Sequence, residues 1–164
     1  MGIRNSAKAL IVTGGRLLLN KNQNSVGDMA YGLPNGAIYY DLPGGGQNQY
    51  ETLEEAVIRE CAEESGYNVA VDRLAAIYEE ISMNDSFRSK HEPYAHKVYF
   101  VFICHLTDEP KMPLAEKDLD MLESVWVSID EVKDIPLYPR LIQSNLERIL
   151  KSNAVVYLGS ERIM

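Results

Sequence analysis

Glu60, Glu63 and Glu64 place three carboxylates in one short stretch of chain, and their spacing is the first feature that could do chemistry. On a helix each residue advances about 100°, so the three fall within an arc of roughly 100° on one face. Like charges three and four residues apart repel, by about a few tenths of a kcal/mol per pair in water and by more when partly desolvated. A bound cation removes that penalty. With no histidine and no second cysteine nearby, the donors are hard oxygens, which suit magnesium, or manganese, better than zinc or copper. Arg59, beside the cluster, can hold a glutamate in orientation or serve as a simple ion-pair partner within the helix.

A solvated acidic helix face is the competing explanation of such a cluster. What precedes it argues for a site. In the run Leu42-Pro43-Gly44-Gly45-Gly46, repeated glycine makes unusual backbone angles accessible and lets a metal or a phosphate oxygen approach the main chain.

These residues need a helix and a sheet to position them. Thr52 followed by Glu55 has the form of a capping box, and Gly66 stands where helices often end, so Thr52 to Ser65 reads as a helix. Val57, Ile58, Cys61 and Ala62 occupy a neighbouring arc of roughly 140°, an apolar side that docks on a sheet and sets the carboxylates at its margin. Small Ala56, on the acidic side, leaves room for an ion and its waters. Ala7 to Val12 and Arg16 to Asn20 read as a hairpin across Thr13-Gly14-Gly15, and Ile38-Tyr39-Tyr40 as a short strand after a loop from Lys21 to Gly36. Val69 to Ile81 and Lys97 to Leu106 read as long strands joined by a polar loop from Ser82 to His96. Glu109 to Leu122 is polar and acidic, Ser124 to Val127 a short strand, and Ser128 with Glu131 a second helix cap. Pro139 to Ser152 predicts the second main helix, and Val155 to Leu158 an edge strand in the tail. The order is that of an α/β protein, and residues 1–164 read as a single domain.

Composition narrows the function. The chain has 164 residues, 46% hydrophobic and 24% charged, as globular proteins do. Its net charge of -8 disfavours a broad footprint for nucleic acid or anionic membrane; an anionic substrate would need a cation to neutralise it. The two cysteines, Cys61 and Cys104, lie in apolar runs, which fits a reduced compartment, and no apolar stretch approaches the length of a membrane span. A cytoplasmic location is the expectation.

Gly45, Glu51 and then Arg59-Glu60-Cys61-Ala62-Glu63-Glu64-Ser65-Gly66-Tyr67, with five and seven residues in the two gaps, resemble the signature of the Nudix hydrolase superfamily, in its MutT-like form. All its fixed Gly, Glu and Arg positions are filled; Cys61 and Tyr67 stand where the family usually has aliphatic residues. The resemblance implies an α/β/α sandwich with a mixed β-sheet between helices, and a metal-dependent pyrophosphohydrolase acting on a nucleoside diphosphate-linked or nucleoside triphosphate substrate. It also implies that Glu60, Glu63, Glu64 and a carbonyl of the Gly44-Gly45 turn bind the divalent cation. Arg59 would orient the cluster, and Glu51 would support it from the helix start. The general base is then a helix glutamate, with Glu63 first, or a later carboxylate such as Glu116, Asp118 or Glu123.

Substrate choice should come from outside the signature. Arg88, Lys90, His91 and His96 could meet a phosphate or a base edge, and Tyr31, Tyr39, Tyr40 and Tyr94 could stack on a base; Arg88, Lys90, His96 and Tyr40 are the leading candidates. No motif for coenzyme A or reduced nicotinamide dinucleotides is present, and Pro93 lies too far on to match the proline that accompanies ADP-ribose hydrolysis. Two rivals use the same fold: a nucleotide-sensing module without catalysis, and an RNA 5′-end pyrophosphohydrolase, which the acidic balance opposes. A homodimer completing the pocket is compatible with the enzyme, with Val155 to Leu158 as its hint.

Overall fold

The computed structural model describes residues 2–25, 33–114 and 120–164. Strand β1 (Arg4–Thr13) is its hub. It turns into β2 (Arg16–Gln23) through Gly14 and Gly15, both at positive φ (56° and 73°). A two-residue hairpin whose twist matches its strands needs that conformation at both central residues, and glycine adopts it without strain.

β1 then pairs with two partners along one edge. Its last residues meet β2, with Thr13 opposite Arg16, while its first half meets β4 (Gly44–Gly46), with Ser6 opposite Gly46 and Lys8 opposite Gly44. Along its other edge it runs parallel to β6 (His96–Leu106), which is antiparallel to β5 (Val69–Ser82); β9 (Val156–Ile163) closes that side, parallel to β5. Beyond β2 lie β3 (Ile38–Asp41), β7 (Met121–Ser128) and β8 (Leu137–Tyr138), giving the order β8-β3-β2-β1-β6-β5-β9 with β4 on β1 and β7 on β2. The sheet is mixed and curled, with helices on both faces.

Alternation in β1 decides which residues each face receives. Ala7, Ala9 and Ile11 point to helix α1 (Leu53–Ser65) and pack with Ala56, Val57, Cys61, Phe102 and Cys104; Leu10 points the other way, into a core shared with Leu137, Ile142 and Ile149. The capping box is present: Glu55 N–H donates to Thr52 Oγ1 at 3.1 Å, and Thr52 N–H to a Glu55 carboxylate oxygen at 2.8 Å. Gly66, at φ 73°, ends the helix.

Several elements differ from expectation. The helix expected over 139–152 is two short ones, α3 (Arg140–Ser144) and α4 (Leu146–Lys151). Asn145 lies between them, and its side-chain amide donates to Leu141 O at 2.8 Å, a local bond that competes with helix continuation. The Ser128 cap does not form: residues 129–134 make a 3₁₀ turn with no side-chain cap. The glycine run is the edge strand β4 and not a turn. The polar loop after β5 contains α2 (Asp85–Lys90), capped by Asn84, and a 3₁₀ turn at Glu92–Tyr94. On α1, Ile58 is 38% exposed, and Ala56 is buried in the core instead of lining an ion site. The tail does form an edge strand, β9. No helix among the described residues is long and apolar enough to cross a membrane.

Candidate active site

Arg59 organises the outer half of the site. Its Nε and Nη2 donate to the two oxygens of Glu51 at 2.7 and 3.0 Å, its Nη1 to Glu60 and Glu63 at 2.9 and 3.1 Å, and its Nη2 also to Gly46 O at 3.0 Å. One planar cation thus ties the helix start, the middle of the helix and the glycine strand together, a geometry that guanidinium can supply and ammonium cannot. The arginine's hydrogen bonds hold the Glu51 carboxyl below its ordinary range, and Glu51 in turn raises the Arg59 value further. Glu51 also accepts from Asn48 N–H at 2.9 Å, which fixes the loop ahead of the helix.

Glu64 lies one turn beyond Glu60, on the inner margin of the same acidic face. It follows Val57 and Cys61 at helical spacing, so the seam that docks α1 carries it inward, where it is 7% exposed. There it fills the gap where β1 passes from β4 to β2. Its Oε2 accepts Gly44 N–H at 2.8 Å from β4 and the Asn20 amide at 2.7 Å from β2, linking the two strands that β1 holds apart. Ser124 of β7 donates to Asn20 Oδ1 at 3.1 Å. Burial raises the Glu64 carboxyl to about 8, against the opposing pull of Lys8. Lys8 is itself buried; its ammonium reaches Asp41 and Leu42 O at 3.1 Å and bonds Gly44 O as well. The strand therefore holds the bend 41–44 by a side chain from beneath.

The two glycines meet different neighbours. A Cβ on Gly45 would stand 2.5 Å from the Glu60 carboxyl carbon, and one on Gly44, which also has φ 127°, would stand 2.1 Å from Ala7 O. Gly45 thus leaves a cradle in which the Glu60 carboxylate lies directly against the main chain. Among the described residues no three carboxylate, imidazole or thiol groups converge closely enough to cage an ion in this structure; Glu60 and Glu63 lean instead on Arg59. The donor set still fits a hard divalent cation: carboxylate oxygens, a main chain open to approach at Gly45, and a buried carboxylate in Glu64 that a cation would relieve.

The structure thus gathers Glu51, Arg59, Glu60, Glu63, Glu64 and Gly45 in one place. It brings none of the other described candidates into that hydrogen-bond network. Arg88, 3.9 Å from Asp85, and Lys90 lie on α2. His91 packs its ring on Phe87, and His96 Nε2 pairs with Glu79 at 2.8 Å. Tyr40 packs against the core, Tyr39 sets its ring edge on Tyr138, and Tyr94 lies under the Arg4 guanidinium. Glu123 pairs with Lys21 at 3.7 Å. Tyr31, Glu116 and Asp118 lie outside the described residues. A cleft of about 530 Å³ opens beside Glu51, lined by Arg4, Gln47, Asn48, Tyr50 and Glu92 among others, and by none of the four leading substrate candidates.

Sequence reasoning missed Asn20, Lys8 and Ser124. Its available signal was a polar residue at an inward position of an apolar strand, as Lys8 is between Ala7 and Ala9.

Comparison with known proteins agrees with this geometry. Residues 3–145 match the family model described as the NUDIX domain. A stretch of 46 residues is 41% identical to a protein of Bacillus subtilis (strain 168) named putative 8-oxo-dGTP diphosphatase, spanning 28% of this chain and 31% of that protein. Among solved structures, a NUDIX hydrolase from Nitrosomonas europaea superposes with a TM-score of 0.66 at 20% identity, covering 89% of this chain and 87% of its own. An ADP-ribose pyrophosphatase from Streptococcus suis 89-1591 gives 0.63 at 19% identity, covering 95% and 99%. At such identities the likeness shows the fold alone.

Proposed function

The chain belongs to the NUDIX domain family, and from that premise we propose that it is a metal-dependent hydrolase cleaving a phosphoanhydride bond in a nucleoside diphosphate-linked or nucleoside triphosphate substrate. The observation that carries this reading is the Arg59 hub: one guanidinium aligns Glu51, Glu60 and Glu63 against the glycine strand. A merely solvated acidic face would have no reason to be held on five hydrogen bonds. The pyrophosphatase and diphosphatase names among the similar proteins support the reaction class, and their differing substrates leave the choice to assay.

Glu60, Glu63, Glu64 and the Gly45 carbonyl would hold magnesium or manganese, which when bound supplies positive charge against the bridging phosphates and acidifies water. Glu63 is the most exposed of the cluster, its side chain 45% accessible, and Arg59 bonds its Oε2. Oε1 is the oxygen we assign to take the proton as water attacks phosphorus: a new P–O bond forms, the bridging P–O bond breaks, and its electron pair leaves with the departing phosphate. Arg59 keeps that carboxylate aimed. Glu51 acts through Arg59 as a positioning residue.

Phosphate or pyrophosphate release should be followed on nucleotide sugars, ADP-ribose, dinucleoside polyphosphates, and ordinary and oxidised nucleoside triphosphates, with magnesium and with chelator. Turnover that chelator abolishes, and that Glu63→Gln lowers on the order of 10²-fold or more in kcat, is expected. A folded protein that binds nucleotide and turns over nothing would make it a sensor instead.

A further inference from the structure

The cleft beside Glu51 is lined by none of Glu60, Glu63 and Glu64. Its volume, about 530 Å³, lies within the range of roughly 300–1,000 Å³ usual for small-molecule sites. Tyr50 lines it and is 97% exposed, so its ring packs on almost nothing, yet its main chain is left-handed at φ 68°. Glu51 N–H donates to Asn48 O at 3.3 Å, closing a turn with Tyr50 at its third position, where positive φ favours glycine or asparagine. An aromatic side chain held in a strained conformation, without burial in return, marks a functional position and not a packing one.

The lining also tells which part of a substrate it suits. Among the described residues Arg4 is the one cation that lines it, against the acids Glu51 and Glu92. The Arg4 guanidinium already lies over the Tyr94 ring, 4.8 Å from its centre. Besides Gly2 and the apolar Ile3 and Pro93, the rest is amide side chains: Asn5 donates to Gln47 Oε1 at 2.9 Å, and Gln47 to Glu51 O at 2.6 Å, forming a polar wall. With two carboxylates to one guanidinium, such a lining suits a neutral, hydrogen-bonding group better than a chain of phosphates. Glu51 lines the cleft and is bonded to Arg59, so the cleft borders the acidic cluster.

We propose that this cleft is the nucleoside subsite, with the base stacked on Tyr50 and the phosphates running past Glu51 to Glu60 and Glu63. The inference rests on the nucleotide-hydrolase reading. It differs from the tyrosines and basic loop residues that the sequence suggested.

The test is calorimetric titration, in magnesium, of the whole protein with α,β-methylene nucleoside diphosphates of adenine, guanine, cytosine and uracil, and with methylenediphosphonate as the base-free control. None of these can be cleaved at the bridge. Wild type should bind at least one nucleotide analogue roughly 5- to 100-fold more tightly than the control, the scale of one base–aromatic stack. Tyr50→Phe should keep that preference and Tyr50→Gly should reduce it to within about twofold. Glycine suits the left-handed turn, so the second variant folds. No preference in wild type, or a preference that survives Tyr50→Gly, overturns the subsite; loss in Tyr50→Phe as complete as in Tyr50→Gly overturns stacking as its basis. The hydrolase reading stands or falls separately, on the turnover panel with Glu63→Gln.

Discussion

Arg59 meets Glu51 fork to fork, Nε to Oε1 at 2.7 Å and Nη2 to Oε2 at 3.0 Å, across the start of the helix that carries both the cluster and its cap. Lysine keeps the charge and loses the fork, leaving Glu60 and Glu63 to share one ammonium. With the arginine side chain 27% exposed and Glu51 14%, the pair lies between a surface bridge and a buried one, so Arg59→Lys should cost about 1–2 kcal/mol. In kcat/KM the same change should cost roughly 10- to 100-fold, because carboxylates misplaced by about an ångström no longer address one phosphorus. Thermal melts and steady-state kinetics on one preparation check both, and wild-type kinetics in the variant would remove Arg59 from the machinery.

The same pair sets a pH dependence. The Glu51 carboxyl is held below its ordinary 4.5, chiefly by the Arg59 hydrogen bonds. A lowered folded value means the carboxylate contributes stability that is full above the ordinary value and fades as pH falls through the lowered one. The melting-temperature gap between wild type and Glu51→Gln should therefore stay level from about pH 6 to 8 and close below about pH 4.5. A gap that widened on acidification would contradict the pairing.

Gly44 and Gly45 are adjacent and should fail differently. Alanine at 44 collides with Ala7 O, main chain that cannot move without β1, at a φ that side chains avoid. Gly44→Ala should destabilise by about 3 kcal/mol or more, or prevent folding. Alanine at 45 meets only the end of the Glu60 side chain, which can swing away. Gly45→Ala should melt within about 1 kcal/mol of wild type while losing most of its activity. Equal losses of stability in the two would show that Gly45 has no special relation to Glu60.

The helix and its carboxylates were legible because their information is local: cap, spacing and terminal glycine all lie within 52–66, and the structure reproduces each. The hairpin and the long strands were legible for the same reason. What encloses Glu64 was not, since Asn20 and Gly44 reach it from 44 and 20 residues away, and only the curl of the sheet brings them in. Helical spacing showed Glu60, Glu63 and Glu64 on one face but not that Arg59 would gather two of them while the core took the third. Apolar periodicity over 139–152 was a sound signal that one side-chain amide, at Asn145, overrode. The substrate candidates were chosen by residue type alone, and type does not say what a side chain will pack against in the fold.

Glu64 gives the cation reading a test that needs no substrate. Burial raises its carboxyl to about 8, so in chelator it carries a proton near neutrality. A raised folded value means stability that is full below the ordinary 4.5 and is lost as pH rises through about 8. A divalent cation binds the ionised form and must displace that proton, so its hold strengthens with pH. Saturating magnesium should therefore raise the melting temperature of wild type more at about pH 8 than at about pH 6. In Glu64→Gln, which keeps the volume and has nothing to ionise, the shift should shrink and the loss of stability across that window in chelator should flatten. A magnesium shift equal at both pH values and undiminished in Glu64→Gln would place the cation elsewhere and leave Glu64 as a structural link between β2 and β4.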